Sequence, residues 1–286
     1  MLTDGRVLTY RQFGTLDGFP VLALHGTPGS RLKYAMADAA AATLGLRIVS
    51  PDRWGYGGSD PHPRPTLARY AADIAELVRG LGLARFSILG VSGGAPYAAA
   101  VAAECTGQAA ALALVSPVGP IAGTPAERAL DPFHRFCFRV VPFVPGGVRL
   151  AFSIFRGVLA FSTPAALRLA GIRAGRADRL LACDDDVCRR LGATFRTGLR
   201  RGAGGPVIDM RLFGGPWNIS LARISAPARI WFGSEDRHVP WPAVQELAHN
   251  ISSATLSRLD GHGHLWISRH CPEVLSWLAE AGNPKT

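Results

Sequence analysis

Ser92 stands among glycines in the stretch "ILGVSGGAPYAAA", residues 88–100, where a β-branched run gives way to an alanine-rich one. The local pattern Gly90-Val91-Ser92-Gly93-Gly94 reads G-x-S-x-G, a spacing suited to a nucleophile. A sharp strand-to-helix turn forces its central residue into a strained backbone conformation, and small neighbours keep side chains from colliding there. The next amide, on Gly93, then lies at a helix N-terminus, where unpaired N–H groups stabilise an oxyanion. The plainer use of the same glycines is a connection that merely lets helix and strand pack closely. A serine alcohol is a weak nucleophile, so chemistry at Ser92 requires a base beside it and a third group to orient that base. Downstream, "SEDRHVP" at 234–240 offers Asp236 as the acid, with Glu235 as its neighbouring competitor. Farther on, "LDGHGHLWI" at 259–267 offers two histidines, His262 and His264. The order serine, acid, histidine is one in which such groups assemble. Ser116-Pro117-Val118-Gly119, after an earlier apolar run, supplies no acid and so favours the later site.

These residues sit at the ends of short apolar runs that alternate with longer segments of helical period, the pattern of a mainly parallel sheet covered by helices. The strand candidates are "VLTYRQF", "PVLALHG", "LRIVSPD", "RFSILGVS", "AALALVSP", "ARIWFGSED" and "ATLSRLD". Between them, "TLARYAADIAELVRGLG" places Leu67, Tyr70, Ile74, Leu77, Val78 and Leu81 on one stripe, with Gly82 as its stop. The C-terminal "LWISRHCPEVLSWLAEAG" is expected to close the other side of the sheet. Roughly 100 residues after Pro117 break the alternation and read as short amphipathic helices divided by Pro and Gly. A structureless loop of that length is implausible, so the stretch is expected to be an inserted helical subdomain.

The chain has 286 residues, 48% of them hydrophobic, enough to bury a large core. Its formal charge of +10 is concentrated at 121–222, which carry 15 arginines against 7 acidic residues. Lys33 and Lys285 are the two lysines of the sequence. The basic stretch lacks a nucleic-acid-binding motif and regularly interleaved aromatics, so no nucleic-acid partner is expected. Five scattered cysteines suit reduced thiols better than a disulfide framework, and the first residues have no basic start followed by an apolar run. Both point to a cytoplasmic protein. No apolar run reaches bilayer length, since Arg139, Arg149 and Arg156 interrupt the most apolar stretch, so stable membrane insertion is not expected. Cys183 and Cys188 flank "DDDV" without zinc spacing, and the acids there read as the first turn of a helix. "GYGGSD" and "HGTPGSR" lack the spacings of nucleotide-binding loops. No metal or cofactor is expected.

Taken together, these segments resemble the α/β-hydrolase superfamily, specifically its cap-bearing, esterase-like serine hydrolases. Gly263-His264-Leu265-Trp266 matches the small-x-Gly-His loop of that family and implies His264, rather than His262, as the base. His25-Gly26-Thr27-Pro28 is similar to its His-Gly-x-Pro motif, which implies the amide of Thr27 as a second oxyanion donor beside that of Gly93, with His25 structural. "PDRWGYGGSD" is similar to its glycine-rich turn. The resemblance implies a three-layer sandwich: a mainly parallel sheet of about eight strands flanked by helices, plus an inserted helical cap. The core then comprises 1–120 and 223–286, and the cap 121–222. One departure is that only Met1 to Thr3 precede the first "DGRVLTY" segment, which leaves the sheet an edge strand short of the family.

A serine at the elbow, where related dehalogenases and epoxide hydrolases carry aspartate, implies acyl transfer: hydrolysis of a carboxylic ester, lactone or thioester through an acyl-enzyme. Carbon-carbon bond hydrolase, peptidase, haloperoxidase-like, lyase and cofactor-free oxygenase activities use the same constellation. A ligand-binding protein without activity is the remaining class. The expected partner is a small-molecule acyl substrate. Seven phenylalanines between 133 and 161, among them Phe133, Phe136 and Phe138, are candidates to line its pocket.

Overall fold

The computed structural model describes residues 1–282. Seven strands, β1 (Tyr10–Gly14), β2 (Phe19–Leu24), β3 (Leu46–Pro51), β4 (Phe86–Val91), β5 (Ala109–Val115), β6 (Ala228–Gly233) and β7 (Ala254–Leu259), form one sheet. Their order is β1-β3-β2-β4-β5-β6-β7, with β1 antiparallel and every other neighbour parallel. The central strands read as continuous apolar runs because both faces are covered. Alternate residues divide between two cores. Leu22, Leu24, Ile88, Leu112, Leu114 and Ile230 face one side, where α2 (Leu67–Gly80), α3 (Ala95–Glu104) and α11 (Trp241–Asn250) pack. Val21, Ala23, Leu89, Ala113, Val115 and Trp231 face the other, against α1 (Asp38–Thr43) and α12 (Ile267–Gly282).

The expected helix at 66–82 is α2: the Thr66 side chain accepts from the Arg69 amide at its start, and Gly82, at φ +68°, follows its end. The strand expected to begin at Val7 begins only at Tyr10. The backbone before it is drawn to the 59–60 turn, since the Thr9 amide donates to Ser59 Oγ at 3.0 Å and Val7 O accepts from Asp60 N at 2.9 Å. The sheet has seven strands where the resemblance implies about eight, in keeping with the missing edge strand, and β1 lies at its edge.

β5 and β6 are neighbours in the sheet, and the chain between them makes a long helical excursion. It carries α4 (Pro125–Arg128), α5 (Pro132–Arg135), a π-helical turn at Phe136–Val140, α6 (Gly147–Phe161), α7 (Thr163–Ala170), α8 (Arg176–Ala182), α9 (Asp185–Gly198) and α10 (Gly204–Gly214). All of them fall within 121–222. The acids before α9 act as read from the sequence: the Asp184 side chain accepts from the Asp186 and Val187 amides at the helix start. The glycine-rich turn after β3 docks this excursion onto the core. Gly57 N donates to Gly198 O at 2.9 Å, and Arg200 Nε donates to Gly57 O at 2.8 Å.

Candidate active site

β4 ends at Val91 and α3 begins at Ala95, so the chain turns from strand to helix within three residues. Ser92 takes φ +53°, a left-handed conformation that a serine seldom adopts. Gly90 permits it: a Cβ there would lie 2.6 Å from the Ala98 Cβ and 2.9 Å from the Ala95 Cα. The turn lifts the Ser92 hydroxyl off the sheet toward the loop after β7. There, His264 Nε2 lies 2.9 Å from Ser92 Oγ, and its Nδ1 lies 2.8 Å from Asp236 Oδ2. Asp236, in the loop after β6, is fixed through Oδ1, which accepts from the His238 amide at 2.9 Å. The sequence placed these three groups at the ends of separate strands, and the fold joins them in one hydrogen-bonded chain.

The competitors lie apart. Glu235 Oε2 accepts from the Ala177 amide at the start of α8. The His262 ring packs near His270 and Trp266, and the residue meets the Glu235 amide only through its carbonyl.

The electrostatics sort the histidines. Burial pushes His264 toward the neutral form, but the charge of Asp236 and its hydrogen bond outweigh that, so its pKa rises above the ordinary 6.5. For Asp236, burial acts upward, and the His264 charge and hydrogen bond bring the net shift below the usual carboxylate value. His238, whose ring lies 4.9 Å from that of His264, is pushed down to about 4, first by burial and then by the His264 charge. It is neutral wherever His264 titrates.

The loop after β2 closes the other side of Ser92. A Cβ on Gly26 would stand 3.3 Å from the Ser92 Cβ, a tight contact that glycine avoids where this backbone passes the serine. The amides of Thr27 and Gly93 have no hydrogen-bond partner among the described residues. His25 is buried; its Nε2 accepts from the Arg53 amide and its Nδ1 donates to Gly26 O, which defines a neutral tautomer.

Two buried carboxylates from the helical excursion hold this machinery, and sequence reasoning missed both. Asp178, on α8, accepts from the backbone amides of His264 at 2.9 Å and Leu265 at 2.7 Å. Gly263 leaves the space its carboxylate occupies. Asp209, on α10, lies behind the Thr27 loop: Oδ2 accepts from Thr27 Oγ1, Arg53 and Tyr56 at 2.5–2.7 Å, and Oδ1 from Tyr97 at 2.6 Å. Burial, reinforced by the Asp209 charge, raises both tyrosine hydroxyls far above 10, so they remain donors.

A cavity of about 830 Å³ opens over Ser92. Phe138, Phe152 and Phe155 line it, as expected, together with Phe195 and Phe213, which the sequence reading did not include. Phe133 and Phe136 do not. Phe133 packs beneath the Arg173 guanidinium, and Phe136 lies two residues from the inward Phe138 on the same helical turn and faces outward. Lys33, Arg168 and Arg179 also reach the cavity wall. Among the described residues, no group of three or more His, Cys, Asp or Glu side chains is arranged to hold a metal ion.

Comparison with known proteins agrees with this architecture. The chain is 28% identical over 282 residues to a non-heme chloroperoxidase of Streptomyces lividans, covering 96% of this chain and 95% of that one. An alpha/beta hydrolase fold protein from Nakamurella multipartita superposes with a TM-score of 0.69 at 24% identity, covering 97% and 96% of the two chains. An esterase from Exiguobacterium antarcticum does so at 0.70 and 18% identity, over 98% and 97%. Residues 21–276, which hold the serine turn, the His-Gly-x-Pro loop and the His264 loop, match the model of the alpha/beta hydrolase family, and to that family the chain belongs.

Proposed function

We propose that this protein hydrolyses a carboxylic ester, lactone or thioester through an acyl-enzyme on Ser92. The observation that carries the reading is the unbroken chain Ser92–His264–Asp236, with two unpaired amides beside the serine. Ser92 Oγ attacks the carbonyl carbon as His264 Nε2 takes its proton. Asp236 holds the imidazole with Nδ1 protonated and stabilises the imidazolium that forms. The amides of Thr27 and Gly93 receive the developing oxyanion. His264 returns the proton to the leaving alcohol or thiol, then activates the water that releases the acid. The helices at 121–222 act as a cap, and its phenylalanines supply an apolar wall for the acyl group. A second reading, favoured by the near full-length likeness to a chloroperoxidase, is haloperoxidase activity, in which peroxide replaces water at the acyl-enzyme and leaves as a peracid.

A panel of p-nitrophenyl esters of increasing chain length, assayed across pH, tests the hydrolytic reading. Longer apolar acyl groups are expected to be preferred. Since the base works from its neutral form, kcat/KM should fall about tenfold per pH unit below the His264 pKa, which lies above 6.5. A profile that stayed flat well below pH 6 would remove His264 as the base. Peroxide-dependent halogenation without ester turnover would favour the second reading.

A further inference from the structure

The outer surface of the cap is unusual for a face turned to water. Among the described residues, nine of the fourteen exposed large apolar side chains fall between Phe136 and Ile172. α6 shows how this arises. Its inward stripe, Val148, Phe152, Phe155 and Leu159, packs into the cap or lines the cavity. A second apolar stripe at helical spacing, Leu150, Ile154 and Phe161, points away from it and is 64%, 54% and 94% exposed. Phe143 and Val144, in the turn before α6, are about half exposed. An amphipathic helix needs one such stripe to fold onto a core; the second has no partner among the described residues.

The stretch of chain that carries it bears charge of one sign. From Pro132 to Ala177 there are seven arginines and no aspartate or glutamate. Arg149 and Arg156 project together from one side of α6, are exposed, and neither makes an ion pair within the described residues. A second copy of this chain is a poor occupant, because two-fold packing would bring the same cationic stretch against itself. Nucleic acid would satisfy the arginines but leave aliphatic Leu150 and Ile154 without bases to stack on. Exposed apolar side chains with unpaired arginines beside them on the same helix match a bilayer whose headgroups are anionic.

We propose that the outer face of α6, with the turn before it, is a peripheral docking surface for an anionic lipid bilayer. No insertion across the membrane is implied: among the described residues no single helix is long and apolar enough to cross one, and the helical stretch before α6 meets it at 107°. Leu150, Ile154 and Phe161 sink below the headgroups while Arg149 and Arg156 meet their phosphates. Exposed Ile172 and Arg168, on the same run of chain, lie at the cavity wall, so docking would also bring lipid-borne acyl groups near the entrance. That consequence rests on the hydrolase reading; the docking itself does not.

Sedimentation of the full chain with vesicles tests the docking directly. Vesicles of phosphatidylcholine and phosphatidylglycerol in equal parts should carry the protein down at about 0.1 M salt, and phosphatidylcholine alone should not. Binding should weaken at about 1 M salt, where the Debye length shrinks from about 10 Å to about 3 Å. Each arginine at such a surface is worth about fivefold in partition, so the double variant R149Q/R156Q should bind about 25-fold less tightly. The triple variant L150S/I154S/F161S should lose about tenfold or more, while its circular dichroism and its turnover of a short soluble ester stay as in the wild type. Failure of the wild type to sediment with anionic vesicles overturns the proposal, as does equal binding by the triple variant. A wild-type dimer that the triple variant converts to monomer, without vesicle binding, would assign the face to self-association instead. Ester turnover without vesicle binding would reject the docking and leave the hydrolase reading standing; the converse would do the reverse.

Discussion

His264→Ala is expected to lower kcat/KM by roughly 10⁴–10⁶-fold on the ester the wild type turns over best, while His262→Ala retains most of the wild-type activity. The two histidines stand two residues apart, yet their surroundings assign them different work. His264 Nε2 lies 2.9 Å from Ser92 Oγ, and its Nδ1 meets Asp236. Without this ring the hydroxyl has no base, and Asp236 is left buried without its partner. His238 cannot substitute: held near pKa 4 and turned toward Asp178 at 3.9 Å, it is too weak a base and has no contact with the serine. The His262 ring makes no hydrogen bond among the described residues, and its carbonyl bond to Glu235 survives an alanine. Purified variants assayed side by side decide the matter. An inactive His262→Ala beside an active His264→Ala would exchange the two assignments.

Asp209→Ala is expected to destabilise the protein by about 3–5 kcal/mol, because it leaves Arg53 charged and buried without a counter-ion. Arg53 and Asp209 are both essentially inaccessible to water, and the Tyr56 and Tyr97 hydroxyls would lose their acceptor in the same step. Since a domain of this kind is stable by only about 5–15 kcal/mol, the urea midpoint should fall steeply. Asp209→Asn, whose single amide oxygen can serve Thr27 or Tyr97 but not both and which removes the charge, should fall between wild type and Asp209→Ala. A loss below about 1 kcal/mol in Asp209→Ala is what a solvent-screened pair would give, and it would contradict the buried network. The expectation links packing to chemistry, since Thr27 shares this carboxylate and lies in the loop that closes over Ser92.

The five inner strands were legible because both faces of the sheet are covered there and they are short apolar runs; the edge strands β1 and β7 are only partly buried and more polar. The serine turn was legible because its glycines are dictated by close approach, Gly90 to the start of α3 and Gly94 to the end of β2, and the G-x-S-x-G spacing records them. The start of β1 was misjudged because the 52–60 turn competes for the backbone of residues 7–9, a pairing that adjacent sequence does not reveal. Asp178 and Asp209 went unread for a related reason: each acts across more than 80 residues, and a single acid on a helix ordinarily means a solvated face. A signal was present all the same. Asp178 is the one acid between Asp131 and Asp184, and Asp209 interrupts the apolar run "PVIDM", where an unpaired charge would be costly. In sequence the phenylalanines between 133 and 161 form one supply, whereas rotation about each helix decides which of them meet the cavity. Phe138 and Phe155 turn inward, and Phe136 and Phe161 outward.

The central claim is that Ser92 carries the acyl group, and covalent labelling tests it without knowledge of the natural substrate. Wild-type protein treated with a fluorophosphonate should gain the mass of one phosphonyl group, with fluoride expelled, and peptide mapping should place it on the peptide containing Ser92. Ser92→Ala should gain nothing under the same conditions. An adduct that persists in Ser92→Ala, or a wild-type protein that remains unlabelled while hydrolysing esters, would contradict the account.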